Sequence, residues 1–124
     1  MSPLIKAQHD FLINVSKLIL WANTRGWMVT GGELFRTAEQ QRLHVQAGRS
    51  KTMNSRHGQR LAIDLNIFVD GKLCYDRKVL APMGAFWESL HPNNSWGGNG
   101  VKFVDVPHFS MGVDKPEFRR VNRT

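Results

Sequence analysis

The chain has 124 residues, which suits one compact domain with its own core. Its hydrophobic content of 41% and charged content of 22% are typical of a globular protein. The single cysteine, Cys74, excludes an intrachain disulfide and a cysteine-based zinc cluster. The formal net charge of +7 predicts a surface that attracts polyanions, such as nucleic acid, anionic lipid or an anionic cell envelope.

The first 25 residues give no reason to expect a secretory or membrane-spanning signal. Charged and polar residues interrupt its first 25 positions, and the longest apolar run there, Leu18 to Ala22, is far shorter than the roughly 20 residues that a spanning helix needs. We therefore expect no stable membrane insertion. A protein of this kind that acts outside the membrane needs another route of release.

The first half of the chain predicts two helices and a short strand. Apolar residues at helical spacing predict an amphipathic helix over residues 3–24, with Pro3 in its first turn. Residues 27–30 are typical of a strand, and Gly31-Gly32 then breaks the pattern. Thr37 and Gln40 match a capping box, which predicts a second helix to about residue 47.

The second half predicts a small sheet and one more helix. Residues 61–69 are typical of a strand, and Asp70-Gly71 is a strong hairpin signal before a returning strand over residues 72–75. Pro82 is expected to open a helix to about residue 90. A loop over residues 92–95 and a core strand over residues 101–104 follow. These elements predict one α+β domain over residues 1–124, with a small antiparallel sheet flanked by helices.

The last residues, about 113–124, form a basic tail, in which the stretch from Lys115 to Arg123 contains Lys115, Arg119, Arg120 and Arg123 against Glu117 alone. A solvated tail and a contact strip for an anionic polymer are both compatible with this composition.

Two short stretches supply the residues of a catalytic site. The stretch from Ser55 to Asp64 contains His57, and Asp105 lies three residues before His108. Two histidines with one carboxylate are a standard protein ligand set for a catalytic zinc, whose fourth position is left to water. The remaining carboxylate can serve as the base that such a water needs.

Each of these residues also has a plainer interpretation. Asp64 lies inside a strand, where aspartate is unfavourable, yet a hydrogen-bonded structural aspartate would explain it. Taken alone, His57 is compatible with a surface histidine and His108 with a buried one. Trp96, before Gly97-Gly98, is compatible with a packed turn or with the wall of a substrate cleft.

The two stretches resemble the M15 group of zinc peptidases, which contains D-alanyl-D-alanine carboxypeptidases and L-alanyl-D-glutamate endopeptidases. This family carries Ser-x-His-x(6)-Asp followed by Asp/Glu-x-x-His, and both halves are present here. The segments at Arg36-Thr37, Trp96-Gly97-Gly98 and His108-Phe109 resemble the small phage-endolysin branch. The resemblance covers residues 25–112 and implies a Hedgehog/DD-peptidase-like fold.

The resemblance also implies a role for individual residues. It assigns His57, Asp64 and His108 as ligands of Zn²⁺, and Asp105 as the catalytic acid or base. Arg36 matches a polar or basic position near the substrate carbonyl. Ser55 is implied to position groups of the site, and Trp96 is a candidate substrate contact. Arg60 departs from the family, because many members have glycine there, but no ligand is lost.

The leading hypothesis is a zinc peptidase that cuts peptidoglycan stem peptides, with L-alanyl-D-glutamate endopeptidase favoured over D-alanyl-D-alanine carboxypeptidase. We expect a monomer that is made in the host cytoplasm without a signal peptide. It would act on bacterial peptidoglycan after release by a pore-forming partner.

The alternatives to catalysis are a basic nucleic-acid-binding module and a purely structural zinc site. The net charge of +7 suits the first, but no recognised nucleic-acid motif appears, so we expect no nucleic-acid partner. Structural zinc sites usually use four protein ligands, which argues against the second.

Overall fold

The computed structural model describes residues 2–32, 34, 37–48 and 58–112. Within these ranges lie three α-helices, five strands and one short 3₁₀ helix, and all strand pairs are antiparallel. The predicted α+β class with a small antiparallel sheet is therefore confirmed. In chain order the elements are α1 (Pro3–Thr24), β1 (Met28–Gly31), α2 (Ala38–Gln46), β2 (Ala62–Val69), β3 (Lys72–Cys74), α3 (Arg77–Leu90), β4 (Asn94–Trp96), the 3₁₀ helix (Gly97–Asn99) and β5 (His108–Met111).

Strand β2 organises the sheet, whose order is β1-β2-β5-β4. Its first residues pair with β5, and its last residues pair with β3. The hairpin between β2 and β3 turns at Asp70 and Gly71, whose φ angles of 53° and 77° are both positive. Two central residues with positive φ match the tight turn that Asp-Gly favours, so the predicted hairpin is confirmed.

Helix α1 matches the predicted range and supplies one side of the core. Phe11, Val15, Leu18 and Ala22 are buried at helical spacing. Helix α1 packs against α3, β1 and β5, and its buried face meets Leu65 and other apolar residues of the sheet. Because side chains alternate along β2, the face that carries Leu65 leaves Asp64 on the opposite side of the sheet.

Helix α2 begins with the predicted capping box. The Thr37 hydroxyl accepts a hydrogen bond from the Gln40 amide at 3.1 Å, and the Gln40 side chain accepts one from the Thr37 amide at 3.0 Å. On the exposed surface of this helix, a hydrogen bond from Arg42 and its positive charge lower the pKa of Glu39.

Helix α3 starts five residues earlier than Pro82, so the prediction that Pro82 opens this helix is wrong. The Asp76 carboxylate accepts a hydrogen bond from the Lys78 amide at 2.8 Å and caps the helix at Arg77. Pro82 then lies in the exposed second turn, where its missing N–H removes the helical hydrogen bond to the Lys78 carbonyl. The capping carboxylate, rather than the proline, decides where the helix begins.

The last strand is displaced from its predicted position. Residues 101–104 were expected to form a core strand, but they form an exposed bend. Residues 108–111 form the strand instead, because they fill the place between β2 and β4 in the sheet. Part of the predicted loop at 92–95 is likewise a strand, with Asn94 paired to Met111.

Helix α3 is attached to the sheet through a buried tryptophan. The Trp87 indole N–H lies 3.1 Å from both the Ser95 and the Ser110 carbonyl oxygens, so it joins α3 to β4 and β5. Its ring packs edge-on against Phe11 and Phe109. Among the described residues, no helix combines the length and the apolar character needed to cross a bilayer.

Candidate active site

Asp64 and His108 are brought together by the register of two strands. They are direct partners across the antiparallel β2–β5 pair, so their side chains leave the same face of the sheet. The Nδ1 atom of His108 lies 3.3 Å from Oδ1 of Asp64. Both side chains keep access to solvent, with 25% of His108 and 29% of Asp64 exposed. A ligand can therefore reach the pair from outside.

Asp105 joins this pair through a turn. The His108 amide donates a hydrogen bond to the Asp105 carbonyl oxygen at 3.1 Å, which closes the four-residue turn that leads into β5. One potential ligand atom each from Asp64, Asp105 and His108 lies within 4.8 Å of the other two. The turn thus brings a second carboxylate to the histidine, and the spacing Asp-x-x-His is the sequence form of that turn.

The backbone around the cluster is held on several sides. The Gly32 amide donates to the Asp64 carbonyl oxygen at 2.7 Å, and the Leu65 amide donates to the Pro107 carbonyl oxygen at 2.9 Å. The Asp105 amide donates to the Gly97 carbonyl oxygen at 3.0 Å. Asp64 and Asp105 are therefore fixed by main-chain hydrogen bonds before any ligand binds, as a precise site requires.

Glu88 supports the same region, although no motif or periodicity in the sequence singles it out. Its carboxylate accepts hydrogen bonds from the Trp96 amide and from the Asn99 side chain, each at 3.0 Å. These bonds fasten the 3₁₀ helix to α3, and Gly97 in that helix holds the Asp105 amide. A contact between residues eight to eleven positions apart, on two different elements, has no periodic signal in the sequence.

The chemistry of the cluster suits a metal ion. Imidazole nitrogen and carboxylate oxygen are the donors that zinc takes when cysteine is not used. Two such ligands, each about 2.1 Å from a tetrahedral zinc, lie about 3.4 Å apart. The 3.3 Å between His108 and Asp64 fits that separation. The residues present therefore fit a zinc ion.

Three predicted site residues, His57, Ser55 and Arg36, lie outside the described part of the chain. The ligand role of His57 and the roles of Ser55 and Arg36 stay predictions.

Trp96 lies in the core, so its assignment as a substrate contact needs correction. Its side chain is only 3% exposed, and its indole N–H donates to the Val106 carbonyl oxygen at 2.8 Å. The ring packs so closely on Gly84 and Gly98 that neither position has room for a side chain. Of the two interpretations of Trp96-Gly97-Gly98, the packed turn is the one that the structure supports.

Two known proteins that this chain resembles are peptidases. The chain is 35% identical over 99 residues to the L-alanyl-D-glutamate peptidase of Listeria phage A118, a match that covers 77% of this chain. The fold is similar to the crystal structure of the Serratia marcescens L-Ala D-Glu endopeptidase ChiX, with a TM-score of 0.59 and 26% identity over 68% of this chain and 67% of that one. The predicted resemblance is confirmed. No family model matches the chain.

The match to the phage enzyme covers only part of that protein. The chain spans about a third of the relative's length, 34%. The similarity to ChiX extends over two thirds of both chains and supports the predicted peptidase-like fold directly.

Proposed function

We propose that this protein is a zinc-dependent peptidase that hydrolyses the L-alanyl-D-glutamate bond of peptidoglycan stem peptides. The observation that carries the proposal is the Asp64, Asp105 and His108 cluster in a fold similar to an L-Ala D-Glu endopeptidase. The similarity to the phage L-alanyl-D-glutamate peptidase points to the same bond. A positively charged chain also suits an anionic cell wall as its substrate.

The proposed metal ligands are His57, Asp64 and His108. A zinc ion held there would lower the pKa of its bound water toward about 7 and polarise the scissile carbonyl. The 3.3 Å contact between His108 and Asp64 supports this assignment for two of the three ligands. His57 is assigned from its place in the Ser-x-His-x(6)-Asp motif.

Asp105 is proposed as the general acid–base. Its carboxylate would accept the proton of the attacking water and return it to the leaving amine. Its backbone is held by the Gly97 carbonyl oxygen, so the carboxylate is kept beside the ligand pair. Arg36 is proposed to stabilise the oxyanion that develops on the scissile carbonyl, and Ser55 to position groups of the site.

Digestion of purified peptidoglycan, followed by mass spectrometry, tests the bond assignment. The proposal predicts fragments with a new amino terminus on glutamate, and no such fragments after treatment with a chelator. Release of free D-alanine instead would assign the chain to the carboxypeptidase alternative. Strong, salt-sensitive binding to duplex DNA without any peptidase activity would favour the nucleic-acid-binding module.

Other parts of the hypothesis concern the protein outside its site. A monomeric state, release by a pore-forming partner and wall contact by the basic tail at 113–124 stay predictions.

A further inference from the structure

An exposed apolar segment lies directly before Asp105. Val101 is 71% exposed, Phe103 is 52% exposed and Val104 is 43% exposed, and the intervening Lys102 is exposed as well. Single exposed apolar residues are ordinary on protein surfaces, but three within four consecutive positions form a local apolar patch. We call residues 101–104 the apolar rim.

The shape of the apolar rim is set by close backbone contacts. The Gly97 carbonyl oxygen accepts hydrogen bonds from the Gly100 amide at 3.1 Å and from the Asp105 amide at 3.0 Å, which closes the loop at its base. A Cβ atom on Gly100 would lie 2.8 Å from the carbonyl carbon of Phe103 and closer still to its oxygen. The loop therefore needs glycine at position 100 in order to fold back so tightly.

The position of the rim ties it to the candidate site. Its last residue is followed at once by Asp105, and two residues of chain span at most about 7 Å, which bounds the backbone distance from Phe103 to Asp105. A substrate bound at the Asp64, Asp105 and His108 cluster would therefore pass close to this patch. The rim therefore adjoins Asp105 along the backbone.

We propose that the apolar rim receives the glycan part of the peptidoglycan next to the scissile bond, with Phe103 as its main contact. This inference rests on the proposed function and adds a substrate-contact residue to it. The glycan is favoured as the occupant because the L-alanyl residue, on one side of the scissile bond, is joined directly to the sugar. A sugar ring offers a face of C–H groups to a flat aromatic side chain such as that of Phe103.

Wall binding tests the rim without any need for catalysis. Binding to purified cell walls is measured by sedimentation for Asp105→Ala and for the double variant Asp105→Ala/Phe103→Ala. The double variant should bind about 3- to 10-fold more weakly, the usual loss when a moderately important aromatic contact is truncated. Phe103→Trp in the same background should restore binding, because it keeps a flat ring.

Leu73→Ala is the matched control. Leu73 is apolar and 45% exposed, and it pairs with Phe68, four residues along β2 from Asp64. This control should bind walls as its parent does. Equal wall binding by Asp105→Ala and by Asp105→Ala/Phe103→Ala would overturn the inference. An equal loss of wall binding in the Leu73→Ala control would overturn it as well. So would a loss of binding to anionic phospholipid vesicles with wall binding unchanged.

Kinetics on two substrates separate this inference from the proposed function. Phe103→Ala should lower kcat/KM about 3- to 10-fold more on the polymer than on a free stem peptide that lacks the sugar. Equal losses on both substrates would overturn the role of the glycan. If the unmodified protein cleaves neither substrate, the proposed function itself is wrong.

Discussion

Replacing Gly84 by alanine tests whether the packing of Trp96 is as tight as the structure indicates. A Cβ atom on Gly84 would lie 2.7 Å from Cγ of Trp96 and nearer still to two other ring atoms, well inside the 3.4–4 Å of ordinary contact. The ring cannot move away freely, because Gly98 lies against another part of it and its N–H is bonded to Val106. The substitution therefore forces a rearrangement of the core.

The expected destabilisation is the balance of three effects. Overpacking costs about 1–3 kcal/mol, and a weakened indole hydrogen bond costs about 0.5–1.5 kcal/mol. Alanine in place of glycine inside a helix returns about 1 kcal/mol. The net loss is about 0.5–3.5 kcal/mol in the free energy of unfolding, which for a domain of this size lowers Tm by roughly 2–14 °C.

Thermal unfolding followed by circular dichroism measures this effect. Gly31→Ala is the control, because nothing lies within 4 Å of the added Cβ, and its Tm should change by less than about 3 °C. Peptidase activity of Gly84→Ala should also fall, since Trp96 precedes the Gly97 carbonyl that holds Asp105. A Gly84→Ala protein that melts at or above the temperature of the unmodified protein would refute the argument.

Three further predictions follow from the same structure. Alanine at His57, Asp64 or His108 should abolish zinc binding, as measured by elemental analysis. Asp105→Ala should keep the metal and lose about 10²–10⁴-fold in peptidase activity. An empty metal site in Asp105→Ala would show that Asp105 is a ligand instead. Raising salt from 0.1 M to 1 M shortens the Debye length from about 10 Å to about 3 Å, so wall sedimentation should weaken while cleavage of a small stem peptide changes little; equal losses in both assays would contradict this. Asp76→Ala should reduce the stability in chemical denaturation by about 1 kcal/mol through loss of the α3 cap, and an unchanged midpoint would argue against that cap.

Elements with strong local signals were predicted correctly from the sequence. Helix α1 has a continuous apolar face, α2 has a capping box, and the β2–β3 hairpin has Asp70-Gly71 at its turn. In each case a few neighbouring residues determine the structure, so the prediction does not depend on distant contacts.

The errors arose where distant contacts decide the structure. Val101 to Val104 have the composition of a strand, but the place between β2 and β4 is filled by residues 108–111. The start of α3 is the exception, because it was predicted at Pro82, whereas the neighbouring Asp76 carboxylate caps the helix at Arg77. Trp96 could be packed or exposed on sequence grounds, and only its contacts with other elements place it in the core.

The candidate site was predicted from motifs rather than from spacing alone. Asp64 and His108 are 44 positions apart, and nothing local indicates that they become partners across two strands. The resemblance to a peptidase family supplied that link. The turn from Asp105 to His108, in contrast, is local, and its sequence already places the second carboxylate beside the histidine.

A zinc titration tests the central claim that a metal bound at Asp64 and His108 activates this chain as a peptidoglycan peptidase. Protein stripped of metal by a chelator is supplied with increasing zinc, and bound metal and stem-peptide cleavage are measured on the same samples. The account predicts no cleavage without metal, a rise in proportion to bound zinc that stops near about one equivalent per chain, and no recovery in Asp64→Ala. Full cleavage by the stripped protein, or recovery in Asp64→Ala equal to that of the unmodified protein, would contradict it.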